Sequence, residues 1–394
     1  MINRSTRYLG YNQGLGFCGE HAACALAAND TAHFTDDGIA ARAVEIMASH
    51  KAHGVGPWLV MAGFIRPHVD WSAPQRFWDL YPEDQCGADT VAVHKTAPPS
   101  APKIAWVDGG YVDGKTADLP KGYRFSPTAP VNDTLAAHWR RGYYAAVSYM
   151  DWNVGKLLDA LDDLGLADDT IVALMADHGY QLGEHSMWEK YTNWELAARV
   201  PFIVAAPHKA ATHGRATTAL TENVDAYPTV AALAGLPLPA IECAGCVEGD
   251  DASPLLDDPT LAWKKGSISQ YARCSLDNAT GLYKRCSSDS LHTTAFQAMG
   301  YSVRSAGWRY TEWFSFGLGH GGGTDFNASL FVELYDHRDD EGDDFDAYDQ
   351  VNVATDPANA AVVKEHAQMV RDGWTKLRPH PSSRAPRPPG SSAV

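Results

Sequence analysis

One junction in the chain constrains its fold more than any other. Leu135, Trp139, Tyr143, Val147, Met150, Val154, Leu157 and Leu161 recur at steps of three and four residues, which places apolar side chains along one face of a helix. Asp133 or Thr134 opens that helix, Gly165 closes it, and its apolar face is expected to pack on a sheet. Directly behind it, Thr170 to Ala176 is an apolar run too short for a helix, and it stops at Asp177-His178-Gly179. Helix, buried strand and polar loop in that order predict an α/β fold, a mixed sheet flanked by helices.

The same grammar recurs along the chain. Pro57 to Phe64 predicts a buried strand ending at Arg66-Pro67-His68, and Phe202 to Ala206 predicts another. Gly38 to His50 and the segment from Tyr227-Pro228 to Gly235 predict helices. Gly87 to Pro130, rich in Gly, Pro, Asp and Lys without a sustained period, predicts a long surface excursion. After about Gly249 the pattern changes. Met299 to Phe314 alternates and is aromatic, Leu330 to Tyr335 is a further short run, and together they predict a smaller α+β subdomain with an antiparallel sheet. The expected organisation is a main domain over 1–249, the subdomain over 250–377 and a Pro- and Ser-rich tail over 378–394 that does not order itself.

Charge and cysteine usage narrow the partners. With 48 acidic against 32 basic residues the formal charge is -16, which repels nucleic acid and anionic membranes. An anionic substrate therefore needs a local cluster of Lys, Arg or metal. No apolar run approaches the roughly twenty residues that span a bilayer, and Met1-Ile2-Asn3-Arg4 opens no signal peptide. Cys18 with Cys24, Cys243 with Cys246 and Cys274 with Cys286 form near pairs that predict three disulfides and leave Cys86 odd. Asn-x-Ser/Thr tripeptides at Asn3, Asn29, Asn132, Asn278 and Asn327 fit the same secretory or lysosomal route.

Ligands of open α/β sheets bind beyond the carboxyl ends of the strands, where two of the three expected strands end on His-bearing loops. Asp177-His178 offers an oxygen and an imidazole to a divalent cation, while His68 and Lys190 offer donors to the oxygens of a transferring sulfuryl or phosphoryl group. Glu184-His185 does not form the His-Glu-x-x-His zinc pattern and is given a structural role. Asp339 to Asp346 lacks the EF-hand ligand spacing and reads as a solvated loop.

The run from Ala176-Asp177-His178-Gly179 through Gly183-Glu184-His185 to Lys190-Tyr191-Thr192-Asn193 resembles the signature of the type I sulfatases, in particular the iduronate-2-sulfatase-like group. Gly63-Phe64-Ile65-Arg66-Pro67-His68, Phe77 to Pro82, Tyr143 to Tyr149, Asp225-Ala226-Tyr227-Pro228-Thr229, Gly300 to Arg304 with Trp308-Arg309-Tyr310, and Glu333-Leu334-Tyr335-Asp336 extend the likeness in order. The resemblance implies an alkaline-phosphatase-like fold and a sulfuric ester hydrolase acting on a sulfated sugar. It places Asp177 and His178 at a Ca2+ site, His68 at the sulfate or the leaving oxygen, and Lys190 on a sulfate oxygen. It also implies a formylglycine nucleophile made from the Cys of Cys-x-Pro/Ala-x-Arg. Cys18 reads Cys-Gly-Glu-His-Ala and Cys24 reads Cys-Ala-Leu-Ala-Ala, so neither matches, and no nucleophile is assigned in this chain. The expectation is a sulfatase whose first segment lies upstream of Met1. The rivals are a remnant that binds sulfated glycan without catalysis and exposes an apolar sheet face, or a related phosphodiesterase.

Overall fold

A computed structural model describes residues 25–28, 34–54, 56–87, 89–107, 118–120, 123–237, 247–278, 280–284, 286, 296–317, 323–342 and 347–379. Cys18, Cys24, Cys243, Cys246, Asn3, Asn29, residues 343–346 of the acidic stretch and the tail from 380 onward lie outside them. The chain divides into two compact units that interleave along the sequence.

The first unit comprises Met1–Thr96, Gly109–Thr170 and Leu182–Glu189. It contains strand β1 (Ala25–Ala28), helix α1 (Thr35–His53), strand β2 (Trp71–Pro74) parallel to β1, the single turn α2 (Gln75–Trp78) and the long helix α3 (Asp133–Asp163). Asn132 caps α3 by accepting the Leu135 N–H at 3.0 Å, and the helix ends before Gly165 as the sequence predicts. Its buried stripe is not the predicted one. Ala136, Ala137, Gly142, Ala145, Ala146, Tyr149 and Asn153 are buried with Trp139 and Leu161, while Leu135, Tyr143, Val147 and Leu157 sit half-buried at the flanks. On the helix that packs against α1 and β2, the buried line thus follows small residues, Ala and Gly, with the bulkier chains at its flanks. Trp71, Trp139 and Trp188 meet in the core with ring centroids 4.9 to 5.9 Å apart.

Pro57 to Phe64 forms no strand. It runs without a ladder partner, with Leu59 75% and Met61 87% exposed, so the apolar run expected to be buried is largely open. A strand needs a neighbour to pair with, and among the described residues this segment has none.

The second unit comprises Ala97–Asp108, Ile171–Gln181 and Lys190–Val394. Strand β3 (Val172–Met175), the turn α4 (Glu195–Ala198), strand β4 (Phe202–Ala205) and helix α5 (Ala226–Leu233) come first. β3 and β4 pair antiparallel as a two-stranded ribbon, Leu174 opposite Ile203 and Met175 opposite Phe202. Both strands stand where the sequence predicts them, but neither is buried: Met175 is 42% and Ile203 61% exposed, because no other described strand covers the ribbon.

Strands β5 (Ser267–Arg273), β6 (Leu276–Asp277), β7 (Leu282–Tyr283), β8 (Ala298–Arg304), β9 (Trp308–Gly317) and β10 (Gly323–Asp336) follow, then helix α6 (Ala360–Asp372) and the turn α7 (Trp374–Leu377). β10, β9, β8 and β5 form the predicted antiparallel sheet in that order. The Cys274–Cys286 disulfide is present, and Cys86 is a free thiol. The two faces of the sheet differ in kind. Val303, Tyr310, Phe314 and Leu334 cluster on one face with Val370 and Leu377. The opposite face carries Arg273, Ser302, Arg309, Trp313, Glu333 and Tyr335, all buried. Ile104, within the expected surface excursion, packs on this face with Ala298 and Trp313, so part of that excursion belongs to the core.

Candidate active site

Asp177 and His178 follow β3 after one intervening residue, Ala176. Asp177 is exposed, and its Oδ1 accepts the His178 N–H at 3.0 Å. His178 Nδ1 donates to the Gly179 carbonyl oxygen at 2.8 Å, and Nε2 is the ring nitrogen that faces Asp177. That nitrogen is 3.4 Å from Asp177 Oδ2. The Asp177 carboxylate is 86% exposed, so solvent meets it as well as His178. The pair offers a divalent ion one oxygen and one imidazole nitrogen, fewer than the six to eight ligands that Ca2+ takes. Asn223 braces the loop from beside it, its Nδ2 donating to the Ala176 and Asp177 carbonyls at 3.1 Å each.

Gly179 packs the loop against α4. Its N–H donates to the Ala197 carbonyl at 2.9 Å, and a Cβ there would lie 2.0 Å from the Leu196 carbonyl oxygen. The segment just before α4 is Lys190 to Trp194, so the structure connects the Asp177-His178 loop to the stretch that carries Lys190. Lys190 is half-buried, with Nζ 5.4 Å from the centroid of the Tyr191 ring.

His68 belongs to the first unit, half-buried, with Nδ1 against the Val69 carbonyl. Its loop is braced from the first turn of α1. The buried Asp36 carboxylate accepts the Ile65 and Arg66 N–H groups at 2.9 and 3.0 Å, and Arg66 pairs with Asp70 at 3.3 Å. Burial raises the Asp70 pKa, against the lowering pull of Arg66 and Ser72.

Glu184 and His185, expected to be structural, are buried. Glu184 pairs with Arg140 at 3.2 Å and the His185 N–H donates to the His94 carbonyl at 3.0 Å. Glu195, His337 and Asp340 converge closely enough to suggest a metal centre. Guanidinium groups already fill it: Arg304 and Arg309 bind Glu195, Arg199 and Arg304 bind Asp340, and His337 bridges Asp340 and Asp349. Burial alone would raise the Glu195 pKa, but Arg309, Arg304 and His337 bring it down to about 2. Sequence patterns gave Asp36, Asn223, Arg273 and Glu333 no role. Charged residues inside alternating aromatic strands, such as Arg309 and Glu333, were the available sign of a buried polar face.

The sulfatase family's sequence profile matches residues 2–236. Iduronate 2-sulfatase of Mus musculus is 30% identical over 313 residues, which cover 70% of this chain and 54% of that protein. The chain thus spans about half the length of the curated relatives it matches, the Homo sapiens enzyme included at 55%. Among solved structures, a phosphonate monoester hydrolase from Silicibacter pomeroyi superposes with a TM-score of 0.62 at 20% identity, covering 91% of this chain and 66% of that one. A protein solved in complex with its substrate D-glucosamine-2-N,6-O-disulfate gives a TM-score of 0.63 at 19% identity, covering 88% and 70%. These likenesses establish the alkaline-phosphatase-like α/β fold. With the family profile spanning more than half of its residues, this chain belongs to the sulfatase family.

Proposed function

We propose that the chain handles the sulfate group of a sulfated sugar, as part of a sulfuric ester hydrolase of the iduronate 2-sulfatase-like kind. The observation that carries this reading is the Asp177-His178 pair, a carboxylate oxygen and an imidazole nitrogen 3.4 Å apart beyond the carboxyl end of β3. Asp177 and His178 would hold a divalent cation, Ca2+ by family resemblance, which when bound withdraws charge from the ester oxygens. Lys190 supplies a second positive charge to a sulfate oxygen, and His68 is assigned to the sulfate or leaving oxygen by resemblance alone. No cysteine among the 394 residues stands in Cys-x-Pro/Ala-x-Arg, so this chain by itself binds sulfate without turnover. The Cys274–Cys286 disulfide supports a secretory or lysosomal setting.

Sulfate release from sulfated disaccharides, followed by ion chromatography, tests the reading. The chain alone is expected to release none. The product of a coding sequence read upstream of Met1, with an in-frame Asp-Asp pair and Cys-x-Pro/Ala-x-Arg, is expected to release it. Such a product that releases no sulfate, or a stop codon immediately upstream, overturns the hydrolase in favour of a non-catalytic binder.

A further inference from the structure

The stretch from Lys190 to Trp194 has neither helix nor strand of its own, so its placement comes from outside. All four strands of the antiparallel sheet supply it. From β5, Arg273 donates to the Tyr191 carbonyl at 2.9 Å and holds Ile104 and Ala105 carbonyls at 2.8 and 2.9 Å. From β9, Arg309 donates to the Asn193 carbonyl and to Ser302 Oγ, each at 3.1 Å, and its Nε reaches Glu195 at 3.1 Å. From β10, Glu333 accepts the Trp194 indole N–H at 3.3 Å, the Trp313 indole N–H at 2.7 Å and the Tyr335 hydroxyl at 2.6 Å. Gly300 on β8 leaves room for Asn193, whose Nδ2 would lie 2.7 Å from a Cβ there and donates to the Gly300 carbonyl at 3.2 Å.

Burying guanidinium and carboxylate groups costs several kcal/mol per ion before their contacts offset it, and an apolar face would cover the same area without that cost. The other face of this sheet is covered mainly by Val303, Phe314 and Leu334, with a single Glu312–Arg371 pair beside them. The contrast marks the charged face as one that specifies a geometry. We propose that Arg273, Arg309 and Glu333 are positioning residues, forming a template that fixes Lys190 in the candidate site. This rests on the assignment of Lys190 to a sulfate oxygen, yet the positioning can be measured without sulfate.

Competitive acetylation of the full chain, read by peptide mass spectrometry, gives the reactivity of Lys190 relative to Lys209, whose amine pairs with Asp257. Arg273→Lys, Arg309→Lys and Glu333→Gln keep the packing volume while altering the hydrogen bonds. Each is expected to change the Lys190 rate by roughly threefold or more, equivalent to about half a unit in an amine's pKa. Val303→Ala, which opens a cavity on the apolar face, is expected to lower stability and leave that rate unchanged. Unchanged Lys190 reactivity in all three charged-face variants, or an equal change in Val303→Ala, overturns the proposal. Protection of Lys190 by inorganic sulfate in the unaltered chain tests the sulfate contact separately. Its absence overturns that contact, while the rates without sulfate still decide the positioning.

Discussion

Gly179 and Ala197 are joined by a backbone hydrogen bond of 2.9 Å, with the Leu196 carbonyl oxygen 2.0 Å from where a Gly179 side chain would begin. That contact ties the Asp177-His178 loop to the turn after Lys190. Gly179→Ala must push backbone away from backbone, and is expected to destabilise the protein by roughly 1 to 3 kcal/mol. Urea unfolding of the variant checks this, and an unchanged midpoint would contradict the close packing.

Glu195 is the shared partner of Arg304 and Arg309, and all three are buried. Glu195→Gln leaves the guanidinium groups without a full counter-charge, and about 3 to 5 kcal/mol of stability is expected to go with it. Because the folded protein holds this carboxyl at about 2, below its ordinary 4.5, its contribution is present above 4.5 and is lost as pH falls towards 2. Acid titration of unfolding free energy should show a slope in that window that Glu195→Gln reduces.

Glu333 has the opposite sign. Burial raises its pKa to about 7, only partly offset by the hydrogen bonds from Tyr335, Trp313 and Trp194, with Asp349 adding to the rise. Its stabilising contribution is therefore complete below 4.5 and is lost as pH climbs through about 7. Unfolding free energies measured from pH 5 to 8 should fall less steeply in Glu333→Gln than in the unaltered chain. Parallel profiles would remove Glu333 as the titrating group.

In a product that releases sulfate, Lys190→Ala is expected to lower turnover by roughly tenfold or more, the scale for loss of a positioned charge stabiliser. Full activity in that variant would take Lys190 out of the reaction.

Much of this architecture was legible in the residues. The three- and four-residue recurrence located α3 to within its caps, and the alternating aromatic run located the β8–β9 pair. What periodicity missed follows from packing between elements. It chose the bulky stripe of α3 where Ala136, Ala145 and Ala146 lie on the buried line, and it read Pro57 to Phe64 as a buried strand because apolar content says nothing about a partner. At the candidate site, Asp177, His178, His68 and Lys190 were assigned through motif order. Arg273 and Glu333 were not, since their role depends on strands distant in sequence facing one loop.

Calcium titration of the chain, by calorimetry, bears most directly on the central assignment of Asp177 and His178 to a cation site. Ca2+ is expected to bind the unaltered chain, with Asp177→Asn and His178→Ala each weakening it by at least about tenfold. Equal binding by all three proteins would contradict the assignment.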